Sequence, residues 1–159
     1  MIKLVTILVT LFAGNCMALS PEYRISWEKE LRYVISKHIP YVWGAASYQS
    51  ADCSGYIYAT ARAAGMPVIR TTALNMANGG GGWTGTTVTV DDADHLTVLW
   101  WTWANSARIH GHVGVLLEHP HTGLLQTTHS SGGRGVVLDR VKGRLLTNIS
   151  KVRVLTIGD

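Results

Sequence analysis

The chain has 159 residues, with 14 Lys+Arg against 10 Asp+Glu and a formal net charge of +4 at neutral pH. That length is enough for one domain with its own core. The positive balance is mild and spread along the chain, which suits attraction to anionic surfaces and excludes the clustered basic footprint of a nucleic-acid binder.

Met1-Ile2-Lys3 is a short positive start, and Leu4 to Gly14 is an uncharged apolar run. Small residues before a cut after Ala18 complete the pattern of a secretory signal peptide. The run stops short of the ~20 apolar residues that cross a bilayer, so no membrane insertion is expected. Residues 1–18 are therefore set apart as a signal peptide and 19–159 as a single domain. The chain has two cysteines, Cys16 and Cys53. If Cys16 leaves with the signal peptide, Cys53 is an unpaired thiol in an oxidising compartment. A buried inert cysteine is the ordinary outcome there, and a reactive thiol the informative one.

Pro21 to Lys37 has helical spacing, with Trp27, Leu31, Val34 and Ile35 on one face and Ser20 as N-cap. Pro40 ends it. Tyr41-Val42-Trp43-Gly44-Ala45-Ala46 reads as a short extended stretch and turn, and Ser47 to Ala51 as a polar loop leading to Asp52. From Cys53 to Ala64 the apolar spacing is helical again, with Gly65 as the stop. Cys53 thus falls at a helix N-terminus, where unsatisfied N–H groups favour a thiolate. That effect supplies roughly 0.3–1 kcal/mol, under one pKa unit against a free-thiol value of about 8.5, so a second partner is required. Val68 to Ala77 reads as a loop with a short helix. The run Asn78 to Gly85 contains four successive glycines and reads as a mobile loop flanking the cleft, with Trp83 as a stacking residue.

The second half is β-rich. Leu96–Trp103, Gly111–Glu118, Leu124–His129, Gly135–Leu138 and Val152–Ile157 read as strands of a small antiparallel sheet, with a hairpin at residues 119–123. Helices first and strands after predict an α+β domain.

The second partner of Cys53 is sought among the histidines. His112 opens an apolar strand, which holds a side chain rigidly at the sheet's edge, and Gly114 leaves room beside it on the same face. A cysteine–histidine pair follows: the imidazole takes the thiol proton and the thiolate attacks a carbonyl. If the hairpin closes around 119–123, His129 lies almost opposite His112 and is the first choice to orient it, with Gln126 or Thr128 as substitutes.

Tyr41-Val42-Trp43-Gly44, Asp52-Cys53-Ser54-Gly55-Tyr56, His112-Val113-Gly114-Val115 and Thr128-His129-Ser130, in this order, resemble the NlpC-type cell-wall peptidases of the papain-like superfamily. The resemblance implies a papain-like NlpC-type α+β fold, with Cys53 as nucleophile, His112 as base and His129 as its orienter. It also implies an oxyanion hole using the Cys53 backbone N–H, a contact from Tyr41 to the reacting centre, and no cofactor; Trp43, Ser54 and Trp83 are further candidate substrate contacts. The expected partner is bacterial peptidoglycan, acted on by a monomer, with no nucleic acid. Ala45 stands where the family has a second glycine, and Ala93-Asp94-His95-Leu96 matches the family's lead into its first strand only loosely.

The short chain and glycine loop look more like the type VI secretion amidase effectors, and the signal peptide more like the amidase effectors secreted by ticks and mites. Those likenesses imply antibacterial cleavage of the D-alanine–diaminopimelate cross-link, with the γ-D-glutamyl–diaminopimelate bond as alternative. Asn148-Ile149-Ser150 is a candidate glycosylation acceptor. Two competing readings are a zinc site built on His110 and His112 with other histidines, and a non-catalytic wall-binding protein using Trp83 and basic residues.

Overall fold

The computed structural model describes residues 19–86, 93–103, 110–140 and 149–157, the last stretch through its backbone. The expected signal peptide (residues 1–18) and Asn148 lie outside the described residues.

Helix α1 is Pro21–Lys37, capped by Ser20, whose hydroxyl accepts from the Tyr23 N–H, and it buries Trp27, Leu31 and Val34. Helix α2 is Cys53–Ala63, capped by Asp52, and it buries Tyr56, Ile57, Thr60 and Ala61 on its sheet side. A short α3, Ala73–Ala77, follows with Thr72 as cap. Three of the four periodic positions expected of α1 are buried, as are Tyr56, Ile57, Thr60 and Ala61 of α2, because each helix puts one apolar stripe against the same core.

The strands are β1 Trp83–Thr86, β2 Val98–Trp103, β3 His112–Glu118, β4 Leu125–Ser131, β5 Gly135–Arg140 and β6 Ile149–Ile157. They form one six-stranded sheet in the order β1-β6-β2-β3-β4-β5, antiparallel throughout. The α+β expectation holds: helices come first and pack on an antiparallel sheet.

Alternation along the strands separates two faces. Trp100, Val113, Val115 and Leu117 join Trp27, Leu31, Tyr56 and Ile57 in the main core. Leu99, Trp101 and Leu116 form a second cluster on the other face. Specific bonds tie the helices to the sheet. The Trp27 indole N–H donates to Thr60 Oγ1 at 3.0 Å. The Tyr56 and Thr128 hydroxyls meet at 2.9 Å, and Ser130 donates to the Ala51 carbonyl at 2.7 Å. At the far end Arg24 donates to the His95 carbonyl, His95 pairs with Glu28, and Arg32 donates to the Glu118 carbonyl, fastening α1 to the start of the β2–β3 ladder.

Residues 78–85 differ from expectation. The glycines turn the chain, and Trp83 to Thr86 then forms β1 against β6. Trp83 is 2% exposed and packs on Trp27, with ring centroids 6.4 Å apart. It is a core residue, and the stacking role assigned to it is withdrawn. A glycine run reads as loop from local propensity, while burying an indole against α1 turns the adjoining segment into an edge strand. The first long strand also starts later than expected, at Val98, because Leu96 and Thr97 turn over Asp94. The last one starts earlier, at Ile149.

The Trp27–Thr60 bond yields a double-mutant test. Thr60→Val leaves a buried indole N–H without its partner and is expected to cost about 1–3 kcal/mol of stability. Because Trp27→Phe removes the donor, the double mutant is expected to lose less than the two single losses combined, read by urea denaturation.

Candidate active site

The site begins with Asp52. Its Oδ1 accepts from the Gly55 N–H at 2.6 Å and starts α2. Its Oδ2 accepts from the Gly44 N–H at 2.9 Å and from Arg70 at 2.7 Å. The same carboxylate therefore caps the helix, latches the turn that carries Tyr41 and Trp43, and holds a guanidinium. The Asp52 N–H returns a bond to the Ala45 carbonyl. This carbonyl crosses so close to α2 that a Cβ on Gly55 would lie 2.0 Å from it, so only glycine fits at that position.

Asp52 thereby sets Cys53 as the first residue of α2. Cys53 is 8% exposed and lines a cleft of about 670 Å³. Burial, and secondarily the Asp52 carboxylate, push the thiol up to about 11, against bonds from the Val113, Ser54 and Cys53 backbone that favour its ionised form. At neutral pH the thiol carries its proton, so a base must remove it before the sulfur can attack.

The base candidate lines the same cleft. His112 stands at the start of β3, next to the Val113 N–H that reaches the sulfur. Its Nε2 lies 2.8 Å from His129 Nδ1. The expected placement of His129 opposite His112 needs correction. Val115 pairs with Thr128, which sets His129 beside Gly114, and the His129 ring reaches His112 diagonally. Gly114 makes that approach possible, since a Cβ there would lie 3.1 Å from His129 Cβ and 2.9 Å from the Thr128 carbonyl. Thr128, one of the substitutes considered, is bonded to Tyr56 on the helix side, and Gln126 shares that side by alternation.

Aromatic rings hold the histidines in place. The Trp101 ring centroid is 4.8 Å from that of His112 and 5.9 Å from that of His129, both edge-on, and Trp103 is 5.6 Å from His112. Of the four expected substrate contacts, Tyr41 and Trp43 line the cleft, and Trp43 is 74% exposed with its ring edge-on to His110. Ser54 does not line it: the side chain is 3% exposed, donates to Asp52 and accepts from Arg70. Its position one residue into a packed helix turns it inward, which corrects the expectation.

The zinc reading needs several ligands in one place. His119 and His121 sit on the β3–β4 turn, away from the cleft. Among the described residues no group of three or more His, Cys, Asp or Glu side chains is placed to hold a metal ion.

Two residues beyond the motif were missed. Asp139 Oδ2 lies 3.1 Å from His129 Nε2, and Arg134 binds the same carboxylate through both its oxygens, at 2.7 and 3.1 Å. The signal was present in the sequence: a Ser-Gly-Gly-Arg-Gly turn after β4 sets Thr127 against Asp139 and His129 against Val137, one diagonal step from the histidine. His129 itself is held below the usual histidine range, by burial first, with Asp139 opposing and Arg134 adding to the effect.

Gly114→Ala tests the geometry. The added methyl is expected to destabilise the protein by about 1–3 kcal/mol and to push His129 off His112. Denaturation reads the first effect, and altered imidazole nitrogen-15 shifts of His112 and His129 under conditions where the variant is folded read the second.

A thiol at a helix N-terminus with an imidazole pair in one cleft is the arrangement needed for nucleophilic attack on a carbonyl. Comparison with known proteins places it. No curated protein sequence matches the chain. A solved structure of an NLP/P60-family protein described as similar to lipoprotein, from Staphylococcus aureus subsp. aureus Mu50, superposes with a TM-score of 0.62 at 20% identity, covering 87% of this chain and 42% of that one. The chain thus spans less than half of that protein's length, and the likeness is one of fold. The model of the NlpC/P60 family, whose members are generally cysteine peptidases of the cell wall, matches residues 38–151, well over half of the sequence and all of the cleft residues named above; the chain belongs to the NlpC/P60 family.

Proposed function

We propose that the chain is a secreted cysteine peptidase that hydrolyses peptide stems or cross-links of bacterial peptidoglycan, cutting the D-alanine–diaminopimelate cross-link, with an antibacterial effect. The observation that carries this reading is the Cys53 thiol at the head of α2, sharing one cleft with a His112 ring bonded to His129. In the first half-reaction His112 takes the thiol proton and the sulfur attacks the scissile carbonyl. Backbone N–H groups at the α2 terminus, that of Cys53 included, face the developing oxyanion. The imidazolium then protonates the leaving amine and a thioester remains. In the second half-reaction His112 activates a water, the thioester is hydrolysed, and the thiol is restored. One water is consumed, and one amide becomes an acid and an amine.

The cleft supports an acidic substrate. Among the described residues that line it there is no carboxylate side chain, so a stem peptide rich in carboxylates meets no like charge from them. Tyr41 and Trp43 contact the substrate from the lip. Secretion rests on the N-terminal pattern at residues 1–18. The choice of the D-alanine–diaminopimelate bond over the γ-D-glutamyl–diaminopimelate bond rests on the likeness to amidase effectors, as does the antibacterial effect. The enzyme is proposed to act as a monomer.

Purified sacculi test the reading. Wild-type protein is expected to release peptide fragments, and Cys53→Ala to release none while keeping its unfolding free energy within about 1 kcal/mol. Mass analysis of the products from diaminopimelate- and lysine-type walls then reads the bond cut. Equal release by Cys53→Ala would refute the mechanism, and binding without release by the wild type would favour a wall-binding protein.

A further inference from the structure

The geometry points to Arg134 and Asp139 as positioning residues that set the proton arrangement of the two active-site histidines, so that His112 presents a basic nitrogen to the Cys53 thiol. This deepens the peptidase reading and rests on it for its consequence, though not for its test.

The protons follow one line of bonds from Arg134 to His112. Arg134 donates to both oxygens of Asp139, through Nη1 to Oδ1 at 3.1 Å and Nη2 to Oδ2 at 2.7 Å. This guanidinium holds the Asp139 carboxyl below its ordinary range, and His129 adds to the effect. An ionised carboxylate only accepts. His129 Nε2, 3.1 Å from Oδ2, must therefore carry a proton and donate it. A neutral imidazole has one N–H, so His129 Nδ1 is an acceptor. His112 Nε2, 2.8 Å away, must then carry its own proton and donate it to His129. In the neutral His112 ring the lone pair is thereby placed on Nδ1, the nitrogen turned away from His129. A base in the opposite tautomer would offer the thiol an N–H and could not take its proton. The buried thiol, which keeps its proton at neutral pH, makes that distinction decisive.

The arrangement has an acid limit. Among the described residues, the titratable and charged groups facing His129 are His112 on β3, Asp139 on β5 and Arg134 in the β4–β5 turn, with Cys53 at the head of α2 across the cleft. Protonating His129 would add a proton at Nδ1, turn it into a donor toward His112 Nε2 and move the His112 proton to Nδ1. Burial opposes that protonation, so the working arrangement persists below the pH at which an exposed histidine would charge.

The test does not need a substrate. Nitrogen-15 NMR of the imidazoles in the full chain at neutral pH is expected to find both His112 and His129 protonated at Nε2. In Asp139→Asn the acceptor loses its charge and an NH2 can face His129 Nε2, so the Nδ1–H forms are expected to gain population. The pH profile of Cys53 alkylation is then expected to move upward. In the sacculus assay kcat should fall at least tenfold with KM unchanged. Asp139→Glu should restore most of the loss, and Arg134→Gln should show a smaller effect in the same direction. Finding His129 protonated at Nδ1 in the wild type would overturn the inference, even if no variant folds. So would an Asp139→Asn protein that folds and keeps both the wild-type tautomers and the wild-type alkylation profile. If no variant or wild type acts on sacculi, the peptidase reading fails, while the tautomers and the alkylation profile still decide this inference.

Discussion

The rest of the molecule depends on one carboxylate. Asp52 is buried, so each of its bonds is strong and each lost bond would be costly. With one side chain it starts α2, latches the Gly44 turn, orders the Ser54 hydroxyl and holds Arg70. The cleft is a consequence. Cys53 is at the head of a helix because Asp52 caps it, and Tyr41 and Trp43 face that helix end because Asp52 holds their turn. Arg70 offsets a negative charge that would otherwise sit uncompensated beside the sulfur.

That carboxylate also creates a difficulty that the rest of the site answers. A helix N-terminus favours a thiolate, but by less than one pKa unit. Burial and the nearby negative charge outweigh it, and the thiol is pushed up rather than down. The comparison of magnitudes decides what kind of chemistry is open. A cysteine activated by its helix alone is ruled out, and a cysteine activated by proton transfer to a neighbour remains. The proposed neighbour, His112, comes from the other face of the sheet: the histidines rise from the face away from α1 and α2, and the cleft wraps the end of the sheet where β3 begins and β4 ends.

The sheet then works as a ruler. His129 is one diagonal step from His112, and Asp139 is one diagonal step from His129. Diagonal neighbours on a pleated face lie about 7–8 Å apart at the backbone, within reach of long or ring side chains. Small residues keep the steps open, Gly114 above all, while Trp101 supports both rings from beside them. A slip of one residue in either hairpin would turn one member to the helix side and break the line.

Much of this was legible in the linear chain. Helical spacing from Cys53 and a glycine after the last turn set α2 and put the thiol at its start, because those signals act within a few residues of each other; the capping role of Asp52 appeared only in the structure. The strand beginning at His112 and the hairpin at 119–123 were legible for the same reason. Long-range decisions were not. Whether the glycine run ended in a loop or an edge strand depended on an indole finding α1. Whether Ser54 faced substrate or Arg70 depended on a residue 16 positions away. Asp139 gained its place from register across two hairpins, and the thiol's affinity for its proton from burial beneath elements far apart in sequence. Local chemistry along the chain determined which groups could react; tertiary packing decided which of them meet and in what protonation state, because burial and register arise only once distant segments share one sheet.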